Sequence, residues 1–189
     1  MTEPLSRPPV RTRLQWRAKE PKGPPRYTRV THLVVHHTES PNSTPDWEEK
    51  VRFIERLHTK HRGWSDIAYN YLIAPDGTIY EGRAGGDNVR GTHCRNLNDN
   101  TMAVAMLGKY DDVPPSEQAV DSLVRLLAWK CAKSGLDPLA VAVHPASGRE
   151  LPIILGHRDG DPRRGCPGDK LYELLPAIRT RTSELLSGG

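Results

Sequence analysis

Two imidazoles and a thiol are the side chains from which this sequence can build a reaction centre. Cys166 closes the stretch GHRDGDPRRGCPGD with eight residues between it and His157, and a histidine pair, His36 and His37, stands far upstream in LVVHHT. Two histidines and one cysteine can hold a zinc ion and leave its fourth position to water, the arrangement of catalytic rather than structural zinc. A loop of that length can bring His157 and Cys166 round one ion while a distant strand supplies the third ligand. A buried structural cysteine with solvated histidines would explain the same residue types, so the ligand set alone does not decide. The set also describes a blue-copper centre, but that takes a weak axial methionine soon after its last ligands. The methionines here are Met1, Met102 and Met106, none beyond Cys166.

The elements that must carry these residues follow from periodicity. Leu33, Val34 and Val35 read as a short buried strand running into the histidine pair. Neighbouring side chains on a strand point to opposite faces, so His36 and His37 cannot both face one ion. Trp47, Val51, Ile54 and His58 recur at three- and four-residue spacing and predict a helix over residues 45–61, with His58 as a satisfied core histidine. GWSDIAYNYLIAPDGTIYEGR reads as a strand, a tight turn at Pro75-Asp76-Gly77 and a return strand, with Tyr69, Tyr71, Ile73 and Ile79 marking a two-faced hairpin. TMAVAML, residues 101–107, has the composition of a central strand buried on both sides. Ser116 caps a long helix with Val120, Leu123, Leu127 and Cys131 along one face, and Gly135 ends it. AVAVHP and LPIIL, around Ala146-Ser147-Gly148, form an extra hairpin before the last strand enters Gly156 and His157. A final helix begins near Asp169, runs through Leu171, Leu174, Ile178 and Leu185, and is kinked or broken at Pro176. Interleaved strands and helices predict the α/β class: a single domain with a mixed central β-sheet flanked by helices.

Composition sets outer bounds. A chain of 189 residues forms one core of ordinary size, and two full domains would be cramped. The net charge of +4 suits an anionic partner such as a cell wall. The basic residues are scattered and no nucleic-acid module is visible, so nucleic acid is not expected as a partner. No apolar run approaches the roughly 18 residues of a membrane span. The first residues, MTEPLSRPPV, lack the apolar core of a signal peptide. That leaves open a cytoplasmic protein, a released phage enzyme, an unconventionally exported chain, or one whose leader was removed. Residues 1–12, rich in Pro and Arg, are expected to be mobile or extended. Three cysteines are too few for a disulfide scaffold. If Cys166 is a ligand, Cys94 and Cys131 remain, either as a bridge or as two buried thiols.

Taken in order, LVVHHT, GWSDIAYNYLIAPDGTIYEGR, GTHCRNLN, ILGHRD and CPGD resemble the motifs of the type 2 N-acetylmuramoyl-L-alanine amidases. That family includes the peptidoglycan recognition proteins and the small phage amidases, and the resemblance runs over about residues 13–178. It implies a zinc amidase domain over residues 13–186, with one Zn2+ per chain held by His36, His157 and Cys166. His37 becomes a neighbour of the metal site or a substrate contact. Zinc in such a site brings the pKa of its water towards roughly 7 and polarises a carbonyl oxygen. The implied reaction is hydrolysis of the amide between N-acetylmuramic acid and L-alanine in peptidoglycan or muropeptides, by a monomer. RTRLQWRA resembles the family's N-terminal R-x-x-W segment, which packs across the domain.

The resemblance also distributes roles around the metal. Tyr69 would line the active site, as a donor or proton relay. Thr38, Trp64, His93 and Asn98 fall in motifs beside the substrate, although each has a structural reading of similar weight. Arg164 stands where some phage amidases carry a catalytic lysine and many recognition proteins a threonine. Being always protonated, Arg164 cannot act as a base, but it can stabilise an oxyanion or bind a peptide carboxylate. Arg163 competes with it or is simply solvated. Asn88 and Val89 occupy the positions with which animal recognition proteins sort the third stem-peptide residue, and match neither usual pair. The alternative is a non-catalytic peptidoglycan-binding module on the same fold. Such members typically replace the zinc cysteine, often by serine, whereas this sequence keeps Cys166.

Overall fold

In the computed structural model, which describes residues 5–188, the chain runs β1 (His32–His37), α1 (Trp47–Arg56), β2 (Tyr71–Ile73), β3 (Ile79–Glu81) and β4 (Thr101–Met106). It continues through α2 (Glu117–Ser134), β5 (Val141–Val143), β6 (Glu150–Pro152), β7 (Ile154–Gly156), α3 (His157–Gly160) and α4 (Asp169–Ser187). Five strands form one sheet in the order β3-β2-β4-β1-β7. Only β3 runs antiparallel to its neighbour; the β2–β4, β4–β1 and β1–β7 pairs are parallel. A strand apolar at every position belongs where both faces are covered, and β4 is buried along its whole length at the sheet centre. Leu33, Val35, Tyr71 and Ile73 pack on α2 and α4 through Leu123, Leu127, Leu171 and Leu175. On the other face Leu72, Tyr80 and Ala105 meet Trp16, Val51 and Ile54. The result is a mixed sheet with helices on both faces, a single α/β domain.

Helix boundaries follow their caps. Asp46 accepts the Glu49 N–H at 3.0 Å to start α1, which passes into a wider π-helical turn, Leu57–His61. Together these two pieces cover the helix expected over residues 45–61. Ser116 accepts the Ala119 N–H at 3.2 Å, and α2 ends at Gly135, whose φ of 63° is the left-handed conformation a glycine adopts without a Cβ penalty.

Three expectations need correction. α4 is continuous through Pro176 rather than broken there. Pro176 is exposed, so the carbonyl that loses its helical partner can bond to water. The buried stripe of α4 is Leu171, Leu175, Ile178 and Thr182, and Leu185 lies on the open side, 36% exposed. Tyr69 does not continue the face of Tyr71 and Ile73; it packs with the Trp16 and Val51 cluster on the other side. Between the two lies Asn70, whose side chain adds bonds to those of its backbone, which donates to the Ala103 carbonyl at 3.0 Å. Its Oδ1 accepts the Ala103 N–H at 2.8 Å, and its Nδ2 donates to the Val89 carbonyl at 2.9 Å and the Gly86 carbonyl at 3.1 Å.

Within the segment 1–12, residues 1–4 lie outside the described residues. Further on, Arg11 donates its N–H to the Ile79 carbonyl at 2.7 Å and accepts from Glu81 N–H at 2.9 Å, on the edge of β3. Trp16 is fully buried and its indole N–H meets the Glu81 carbonyl at 2.7 Å. The extra hairpin exists as β5 paired with β6, a two-stranded sheet of its own. Cys94 and Cys131 are two buried free thiols rather than a bridge.

Candidate metal centre and cleft

His36 lies near the carboxyl end of β1, and His157 immediately succeeds the neighbouring parallel strand β7. The carboxyl ends of parallel strands are where open α/β sheets gather their sites. The GHRD motif holds the corner and the loop in place. Asp159 accepts the Gly156 N–H at 2.8 Å and the Tyr172 hydroxyl at 2.6 Å, fixing the strand-to-helix corner that bears His157. Arg158 closes the loop: its backbone N–H donates to the Cys166 carbonyl at 2.9 Å. Its guanidinium donates to the Gly165 carbonyl and, at 2.7 Å, to Asp169.

That closure brings donor atoms of His36, His157 and Cys166 within 4.8 Å of one another. His36 Nδ1 and Cys166 Sγ are 3.6 Å apart. A tetrahedral ion with N and S ligands at about 2.0–2.1 and 2.3 Å separates those two atoms by about 3.6 Å. The donor set and this separation fit zinc.

Burial sets the charge state of the metal-free site. It holds His36 well below the usual imidazole range, His93 at about 3 and His157 at about 4, with neighbouring cationic or imidazole groups acting in the same direction. It pushes the Cys166 thiol up to about 12, against the His37 backbone N–H donated to its sulfur at 3.4 Å. Neutral imidazoles are ready to coordinate, whereas the thiol must release its proton to a metal.

The buried histidines make stability depend on pH. Unfolded imidazoles protonate near 6.5, whereas burial first of all lowers His58 and His157 to about 4 and His93 to about 3. Between those limits the unfolded chain binds more protons, so the stability they contribute is complete above pH 6.5 and lost as pH falls towards 3. Thermal melts of the metal-free protein should give a lower Tm at pH 4.5 than at pH 7.5. Equal values would mean these rings are not buried neutral.

Two of the donors, His157 and Cys166, line a cleft of about 720 Å³, and the third, His36, is buried. A second hollow of about 680 Å³, between residues 8–11, the turn at Asp76–Gly77 and Arg125, has no comparable donor set. Chemistry, not volume, singles out the first. Tyr69 sits in its wall with the ring 5.2 Å from that of His36, and the hydroxyl bonds to none of the described residues. Burial raises its pKa, with Cys166 adding to the effect, so the phenol keeps its proton at neutral pH. Trp64 lines the wall between Arg62, 5.2 Å from its ring centre, and the His58 ring at 4.9 Å. His58 accepts the Ala68 N–H at 3.2 Å, a satisfied core histidine on the edge of the cleft.

The remaining sequence candidates divide by what their polar atoms touch. Thr38 lines the cleft but holds its own loop, 2.8 Å from the Ser40 hydroxyl and accepting from Gly108 N–H at 3.1 Å. Asn98 accepts the His93 and Cys94 N–H groups at 2.7 and 3.0 Å. His37 turns to Tyr110, whose N–H it accepts at 3.2 Å, and its Nε2, with no hydrogen-bond partner among the described residues, lies 3.8 Å from the Glu39 carboxylate. His93 is directed at His36, Nδ1 to Nε2 at 2.9 Å. Arg164 is 65% exposed and faces the cleft, 3.8 Å from Asp161. Arg163 pairs with Asp161 through two contacts of 2.9 and 3.1 Å rather than being simply solvated.

Asn88 and Val89 face away from the cleft. Val89 is fully buried, and Asn88 accepts from the buried Lys130 at 2.6 Å. Glu39, Arg62 and Arg95 stand on the rim and were missed from sequence. Glu39 carried a signal there in its position directly after HHT, and Arg95 in lying within GTHCRNLN.

The model of the Amidase_2 family, described as N-acetylmuramoyl-L-alanine amidase, matches residues 26–169. The chain is 31% identical over 165 residues to peptidoglycan-recognition protein LB of Drosophila melanogaster, covering 85% of this chain and 65% of that protein. It is 30% identical over 197 residues to the N-acetylmuramoyl-L-alanine amidase of Sus scrofa, covering 97% of this chain and 31% of that protein. It thus spans less than two thirds of the length of either relative. The solved endolysin N-acetylmuramoyl-L-alanine amidase LysCS of Clostridium intestinale superposes with a TM-score of 0.71 at 26% identity, over 92% of this chain and 96% of that one. By the span of the family match and the fold it shares with these proteins, the chain belongs to the N-acetylmuramoyl-L-alanine amidase family.

Proposed function

We propose that this protein is a zinc-dependent amidase that hydrolyses the bond between N-acetylmuramic acid and L-alanine in peptidoglycan or muropeptides. The observation that carries the reading is the convergence of His36, His157 and Cys166, the last two on the wall of the cleft, with His36 Nδ1 3.6 Å from Cys166 Sγ. When bound, zinc supplies a Lewis acid for the amide carbonyl and makes water acidic enough to attack at neutral pH.

The chain's own residues do the rest. Tyr69, protonated and with its hydroxyl bonded to no described residue, donates a hydrogen bond to the oxyanion that develops at the carbonyl. Burial, which disfavours the phenolate, favours this donor role over proton abstraction. Arg164, 65% exposed on the wall of the cleft, clamps a stem-peptide carboxylate with its guanidinium. Trp64 gives the cleft an apolar wall against which the substrate lies.

Digestion of peptidoglycan by the zinc-loaded protein, read by mass spectrometry, tests the proposal. Stem peptides with a free L-alanine amino group and uncut glycan strands are expected. New reducing ends without free alanine amines would mean a glycosidase. Binding without any release would mean a recognition module on the same fold.

A further inference from the structure

His93 has no ring nitrogen left for a substrate. Its Nδ1 lies 2.9 Å from His36 Nε2 and its Nε2 lies 3.1 Å from the Thr101 hydroxyl, in a residue 9% exposed. Thr101, fully buried at the start of β4, directs its hydroxyl to the Leu97 carbonyl at 2.5 Å, with the Asn98 carbonyl at 3.5 Å. The directions of these bonds can be worked out from that end. A carbonyl only accepts and a hydroxyl has a single proton, so Thr101 gives its proton to the main chain. It can then meet His93 Nε2 only as an acceptor, which places a hydrogen on that nitrogen. The neutral ring consequently has a bare Nδ1, and that atom must receive the Nε2–H of His36. What remains on His36 is the lone pair of Nδ1, the atom 3.6 Å from Cys166 Sγ.

The GTHCRNLN motif builds a holder for this ring. A Cβ on Gly91 would stand 2.6 Å from the His93 ring and 2.7 Å from the Ala68 carbonyl, so only glycine leaves the ring its place. Asn98 fixes the His93 backbone N–H at 2.7 Å. Metal-bound histidines generally give their second N–H to an acceptor that sets tautomer and orientation.

We infer that His93 and Thr101 are positioning residues that hold His36 as the Nε2–H tautomer and present its Nδ1 to the metal. This rests on the zinc reading of His36, His157 and Cys166, and it replaces the substrate-contacting role expected of His93.

Two measurements decide it without using enzymatic activity. Nitrogen NMR of the zinc-free protein should show hydrogen on Nε2 and none on Nδ1 in both His36 and His93; a proton on His36 Nδ1 overturns the inference. Chelator competition should then show zinc held about 10- to 100-fold more weakly by Thr101→Val and by His93→Phe, the usual cost of losing such a partner. His93→Gln, with an amide oxygen to accept the N–H, should recover most of that loss. Parental zinc affinity in Thr101→Val and His93→Phe overturns the inference. Should His93→Phe fail to fold, the near-isosteric Thr101→Val and the ring spectra carry the decision. Correct tautomers and weakened zinc in a protein that leaves peptidoglycan intact would end the amidase reading and keep this one. An active amidase with the opposite tautomer would do the reverse.

Discussion

Cys166→Ser should fold like the parent protein and lose most of its zinc and its activity together. The fold survives because the loop is closed through the backbone of Cys166: its carbonyl, not its sulfur, accepts from Arg158 at 2.9 Å. The metal goes because a serine hydroxyl is a poor ligand unless deprotonated, and coordination requires the deprotonated form. Loss of a ligand should exceed the roughly 10- to 100-fold cost of losing an outer partner, so it should weaken zinc more than Thr101→Val does. Metal content after gel filtration, circular dichroism and release of alanine amines would be measured on the same preparation. A zinc-free Cys166→Ser protein with full activity would sink the metal mechanism.

The parts of this site that could be read from sequence are those set by local geometry. Alternation along β1 separates His36 from His37, and the ring of His37 does turn to Tyr110 while that of His36 meets His93. The eight-residue loop can reach, and Arg158 closes it. What could not be read depends on partners remote in sequence. Tyr69 was expected on the face of Tyr71, yet it packs in the Trp16 and Val51 cluster, next to an Asn70 tied to Ala103 by side chain and backbone. A histidine in a G-x-H motif announces its neighbourhood but not which nitrogen meets which atom. For His93 the answer needs Thr101 and the Leu97 carbonyl. Asn88 leaves the cleft because Lys130, on α2, pulls it inward. The Pro176 rule is local, whereas the exposure that makes Pro176 harmless is tertiary.

Tyr69→Phe should lower kcat by about 10²- to 10³-fold while zinc stays bound, the scale of losing one oxyanion donor. The change removes one oxygen and leaves the ring that packs 5.2 Å from His36 and 5.7 Å from His58, so the wall of the cleft is preserved. With the phenol as a donor rather than a base, the loss should be one of donation, with no new pH dependence between about pH 7 and 9. Arg164→Ala is the contrast. A clamp on a substrate carboxylate acts equally in ground and transition states, so KM should rise more than kcat falls. Steady-state kinetics on a soluble muropeptide separates the two roles. Parental kcat in Tyr69→Phe would reduce Tyr69 to a packing residue. A fall in kcat alone in Arg164→Ala would move that cation from the peptide to the developing oxyanion, the position from which a positive charge acts only as the amide begins to break.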